Sequence, residues 1–369
     1  MWEQDTKGRK WNLIEPVLMM SLLEIIFWAI WYPLELAHKN PIIAYILLGV
    51  LAIFLIISPI IHKDTFHGWG LNNFLYIFKK IKEGGRPRAI AITVLALFMA
   101  IGIAAFYLLW KQLADALFNM NENDAISFRN TVGGSIAVIA LGAGAGFFVA
   151  TILIRYDNFL NSLKVAVIVI VILGCAEVGG SLLLNPSDIN NFDAADFALN
   201  FLGYIFWGAL QQFLFVGYFG SRFRKAFGPS VDAADPGNPT KAESRAMYKK
   251  RACIALINGS YFGLIHIPSW SLASFTWILG VVLSWYYMKD KNRNLLAMGM
   301  IHGFLGSMVG VFYKSSVSMS VGPSTGAAIA MAPWFWIVAI FLVAHQAIIV
   351  LAWWYWDGRK PVASTIKVS

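Results

Sequence analysis

Five polar side chains set in otherwise apolar sequence mark the places where this chain has the means to do chemistry. Gln211 and Gln212 are adjacent, Asn258 precedes His266 by eight residues, and His302 follows. Neighbouring residues on a helix point about 100° apart, so only one of the two glutamines faces any given cavity. Asn258 and His266 are slightly more than two helical turns apart and share a face. Such a set admits three chemistries: metal binding, proton transfer, or a hydrogen-bonded network between helices. Zinc takes His, Cys, Asp or Glu, and glutamine is a poor neutral ligand. A hydrolytic site needs a base, and an amide has no useful basicity. Residue chemistry therefore favours a satisfied polar network, ahead of a proton or ligand site, and no metal site is expected. Glu24, Glu177, His345 and Gln346 lie in other apolar stretches, where an uncompensated polar group is expensive.

The elements that must position these residues are membrane-spanning helices. The chain is 58% hydrophobic and 13% charged, with mean hydropathy +0.63. A soluble domain carries roughly 25% charged residues. A helix needs about 20 residues to cross a hydrocarbon core. Stretches of that kind run at 14–34, 41–60, 89–110, 131–152, 163–185, 197–219, 251–267, 271–288, 294–312 and 331–355. The seventh and eighth are short and separated by a turn at Pro268. An all-α polytopic bundle of about ten spans is the expected fold. Glycines 299, 303, 306 and 310 flank His302 and permit close helix approach in the ninth span.

Counting positive charges gives an orientation. With the N-terminus inside and the spans alternating, all of the 29 basic residues fall inside except Lys39, Lys111, Arg129 and Lys314. Both termini are then cytoplasmic, and the net charge of +9 belongs to loops at the membrane rather than to a nucleic-acid surface. The opening residues, MWEQDTKGRKWN, lack the apolar core and cleavage site of a leader, so the first span is expected to be a signal-anchor. Cys175 and Cys253 provide neither a disulfide framework nor a metal pair.

Two inner loops are more than connectors. Residues 72–81 place Phe74, Ile77, Phe78 and Ile81 on one helical face beside Lys79 and Lys80. That pattern fits either a helix lying in the interface with its apolar side in lipid, or a short helix packed on the protein. Residues 228–248, rich in Gly, Pro, Ala and Asp, have the composition of a mobile connector, or of a segment held by a partner subunit. The 15 Trp and 27 Phe supply interfacial belts, as at Trp353, Trp354, Tyr355 and Trp356, and inter-helix packing. No cofactor is required by them, although pigment or lipid binding stays open.

The segments holding the polar residues resemble the CPBP family of intramembrane proteases. This is also called the CAAX-protease or Abi family and includes the Rce1-type prenyl-protein endopeptidases. QQFLFVGYFGSRFRK at 211–225 is similar to the family's first motif, two glutamates, three residues, then arginine. FGLIH at 262–266 matches Phe-x-x-x-His, and HGFLG at 302–306 stands where the family has His-x-x-x-Asn. The resemblance implies an activated-water endopeptidase site. Carried over, Gln211 takes the place of the base, Gln212 of the second glutamate, Val216 of the arginine and Gly306 of the asparagine. His266 and His302 are retained. Base, arginine and oxyanion donor are thus replaced, which implies a degenerate member without catalysis unless Glu177 or Glu24 supplies a carboxylate.

The expected organisation is N-terminal membrane helices over 1–155, a CPBP-like core over 160–312, and a last span with a cytoplasmic tail over 313–369. The expected function is a non-catalytic scaffold, accessory or assembly subunit of a larger membrane complex, with other integral membrane subunits and membrane lipid as partners. An altered-site endopeptidase and a pigment, lipid or small-molecule binder are the alternatives.

Overall fold

A computed structural model describes residues 6–25, 49, 52–53, 55–111, 113–114, 120–184, 186–187, 192–227, 241–266, 270–312 and 334–355. Among these residues there is helix and no strand. In chain order the helices are α1 (Thr6–Ile25), α2 (Leu75–Glu83), α3 (Gly85–Leu108), α4 (Glu122–Asn130), α5 (Val132–Phe148) and α6 (Phe159–Leu184). They continue with α7 (Ala194–Gln212), α8 (Gly220–Ala226), α9 (Lys241–Leu264), α10 (Trp270–Tyr287), α11 (Leu295–Phe312) and α12 (Trp334–Trp353). A shorter helix covers 55–61, and wider π-helical turns occupy Val149–Leu153 and Phe213–Phe219.

Among the described residues, four helical stretches are long and apolar enough to cross a membrane: Gly85–Leu108, Val132–Leu153, Phe159–Leu183 and Phe197–Ala226. They coincide with the third to sixth expected spans. Leu272–Tyr287, Leu295–Val309 and Ala339–Trp353 are apolar but shorter. Most of the expected second span, the Pro268 turn and residues 356–369 lie outside the described residues. The seventh expected span begins earlier than its apolar stretch, because α9 is one helix starting at Lys241. Residues 241–248 are therefore helix and not connector, while 228–240 lie outside the described residues.

The chain divides into two compact units. One comprises residues 1–65, 211–293 and 312–369, the other 66–210 and 294–311. In the first, α9 and α10 meet at Gly259, Gly263 and Gly280. A Cβ on Gly280 would lie 2.9 Å from the Gly259 Cα, so side chains there would force the helices apart. The C-terminal carbonyls of α8, which a helix leaves without intrahelical partners, are taken by three donors. Trp353 Nε1 donates to Ala226 O at 2.8 Å, Arg9 Nε to the same oxygen at 3.4 Å, and Lys250 Nζ to Phe227 O at 2.9 Å. Trp353 is thus buried and structural, while Trp354 and Tyr355 are exposed as a belt requires.

In the second unit α3 and α5 approach through Gly102, Gly142 and Gly146. The turn between α5 and α6 is tied to the start of α11, where Asn294 Nδ2 donates to Arg155 O at 2.9 Å and Asn158 Oδ1 at 3.1 Å. Helix α2 packs against the same turn. Ile77 is buried with Ala91 and Ala150, and Asn72 Nδ2 donates to Thr151 O at 3.2 Å. The apolar face of 72–81 packs on the protein at Ile77, while Phe74 is exposed.

Candidate functional site

In the first unit Gln211 and Gln212 close α7, and the helix widens directly after them into the π-helical turn Phe213–Phe219. Gln212 is fully buried and Gln211 half-buried, as their angular separation requires. Widening a helix displaces carbonyls from their usual partners. Asn258 meets this need from α9, its Nδ2 donating to Phe215 O at 2.8 Å and to Ser284 Oγ of α10 at 3.1 Å. The Phe215 carbonyl fixes which end of the amide is Nδ2. Asn258 Oδ1, buried on the other side, has no hydrogen-bond partner among the described residues. Val216 is buried and lines a small cleft with Gly220, Ser221, Arg224 and Asn258.

His266 stands just past the end of α9. Its Nδ1 donates to Phe262 O at 2.8 Å, which leaves Nε2 with the lone pair in the neutral ring. Phe262 packs edge-on to that ring at 5.2 Å and in turn contacts Phe215 at 4.8 Å. Higher on the same helix, Tyr261 Oη donates to Gln346 Oε1 of α12 at 2.6 Å. Gln346 Nε2 reaches Val17 O of α1 at 3.3 Å. The His345 ring is tilted by 57° against that of Tyr261, with centroids 5.0 Å apart, and Glu24 of α1 is buried.

His302 and Glu177 are buried in the second unit. There α11 lies against α7 through glycines. A Cβ on Gly299 would come 2.8 Å from Ala209 Cβ, and one on Gly303 would come 2.8 Å from Ile205 N. Gly208 of α7 faces His302, its added Cβ falling 2.9 Å from His302 Cβ. At Gly306 a Cβ would meet the Tyr204 ring at 3.3 Å. The aromatic ring thus occupies space beside the position where an asparagine side chain would begin.

A denser constellation was not anticipated from sequence. Glu15 of α1 accepts hydrogen bonds from Ser58 Oγ and Tyr218 Oη, the latter at 3.0 Å, and its other oxygen meets His62 Nε2. Arg222, fully buried, donates to Asn12 Oδ1 at 2.8 Å, lies 3.4 Å from Glu15 Oε1 and pairs with Asp64. Lys225 pairs with the same Asp64. One faint signal existed: Asn12 with Glu15, Ser58 with His62, and Tyr218 with Arg222 and Lys225 each share a helical face at spacings of three, four or seven. With both Glu15 oxygens engaged, the cluster ties α1 to the 55–61 segment and to the 213–226 stretch.

Helix without strand and four candidate spans among the described residues, together with buried polar networks, mark a helical membrane protein. Residues 193–308 match the family model of the type II CAAX prenyl endopeptidase Rce1-like proteins. That segment contains Gln211, Gln212, Val216, His266, His302 and Gly306, and falls inside the expected 160–312 core. No curated protein and no solved structure matches the chain.

Proposed function

We propose that this is a non-catalytic CPBP-like protein of the cytoplasmic membrane that serves as a scaffold, accessory or assembly subunit of a larger membrane complex. The observation that carries the reading is the family frame with its reactive groups replaced. On the motif resemblance, an amide, Gln211, takes the base position, and the buried apolar Val216 takes the arginine position. An amide does not activate water, and valine offers neither charge nor hydrogen bond. Gly306 offers no side-chain donor to an oxyanion, and Tyr204 lies beside it. The positive-inside distribution supports about ten spans with both termini cytoplasmic. Large exposed apolar side chains on α3, α5, α6 and α12 supply surface for lipid and for neighbouring membrane subunits.

The test is cleavage. The intact protein, reconstituted in liposomes, is offered prenylated peptides alongside an active family protease. No product above background is expected. Turnover that disappears in Glu24→Gln or Glu177→Gln would overturn the non-catalytic reading in favour of an altered-site endopeptidase.

A further inference from the structure

The outer side of α2 has no role in the reading above. Its inner side is used by the protein: Ile77 is buried, Phe78 contacts Phe147 at 6.3 Å, and Tyr76 stacks on Tyr156 at 5.6 Å. Leu75, Lys79 and Lys82 recur at the spacing of one helical face and are exposed. Lys80 is occupied by Glu83, at 2.8 Å. Gly84 and Gly85 then take positive φ of 78° and 53°, a left-handed elbow that turns the chain into α3 and presents Arg86 and Arg88, also exposed. Among the described residues the side chains of Lys79, Lys82, Arg86 and Arg88 make no hydrogen bond or ion pair.

The placement identifies what these cations meet. Candidate span Gly85–Leu108 begins at the elbow, and candidate span Val132–Leu153 ends at the turn on which α2 is anchored. Asn72 N donates to Ile152 O at 2.7 Å and Tyr156 Oη to Ala150 O at 2.6 Å, so α2 is fastened at the level where both spans leave the hydrocarbon. An exposed leucine beside unpaired cations at that level fits the boundary between acyl chains and headgroups.

We propose that Lys79, Lys82, Arg86 and Arg88 form a binding site for anionic phospholipid headgroups of the surrounding bilayer, with Leu75 inserted among the acyl chains. The site rests on the chain's crossing a membrane and is independent of the non-catalytic reading. Each cation near an anionic surface contributes about 1 kcal/mol, or about fivefold in affinity.

Native mass spectrometry of the intact protein, released from micelles containing phosphatidylcholine and phosphatidylglycerol, tests the site. Phosphatidylglycerol should be retained preferentially and should be displaced by high salt, since the attraction is screened. K79Q/K82Q/R86Q/R88Q should retain it at least fivefold more weakly, with an unchanged melting profile because all four side chains are exposed. The charge-preserving K79R/K82R/R86K/R88K should bind as the parent does. A loss smaller than fivefold in the glutamine variant, an equal loss in the charge-preserving one, or retention indifferent to salt would overturn the proposal.

Discussion

Asp64 faces two buried cations, Arg222 and Lys225, while Glu15 lies beside the first of them. Removing one partner of such a cluster leaves charge without compensation, which costs about 3–5 kcal/mol. Asp64→Asn is therefore expected to lower the melting temperature of the purified protein sharply, while Lys80→Ala, at an exposed pair, leaves it unchanged within error. The half-buried Gln211 makes a different prediction. Gln211→Glu with Gln212→Glu should not create cleavage of prenylated peptides, because Val216 and Gly306 would still lack arginine and asparagine chemistry. Product formation by that double variant would show that the glutamines alone account for the loss. At this scale the sequence discloses the intramembrane polar residues and the unequal burial of Gln211 and Gln212. It does not disclose the Glu15–Asp64–Arg222 cluster, whose members come from three distant stretches of chain. Helical spacing says which residues share a face, not which face meets another.

Among the elements, the tightest demands fall on glycine contacts and on the widened turn. Gly303→Val places branched carbons against the Ile205 backbone, so α11 must shift away from α7. A destabilisation of about 1–3 kcal/mol is expected from such overpacking, read as a lower melting temperature. Asn258→Leu removes the donor to Phe215 O in the π-helical turn and strands a buried carbonyl. The expected cost is about 1–3 kcal/mol, with faster amide exchange across 213–219 as the local signature. The close-packing role of Gly299 and Gly303 is legible from their four-residue spacing in an apolar helix. The π-helical turn is not, since nothing in FLFVGYF distinguishes a widened turn from an ordinary one. Helix α9 also begins earlier than its apolar pattern, because KAESRAMYKK is polar yet made largely of good helix formers. Apolar periodicity detects buried faces and passes over a polar helical extension.

At the scale of the whole molecule, the four long spans found among the described residues are the part that composition determines most directly, since length and hydropathy suffice. Residues 193–308 match the Rce1-like family model and contain His266 and His302 together with Gln211 and Val216, which the sequence resemblance sets at the base and arginine positions. The scaffold role proposed above makes that frame a surface on which other membrane subunits assemble. Gentle-detergent extraction from the native membrane, followed by mass spectrometry of everything that co-migrates with the chain, tests this most directly. A fixed stoichiometric set of integral membrane proteins is the predicted result. A protein that migrates alone from its native membrane would contradict the assignment as a subunit.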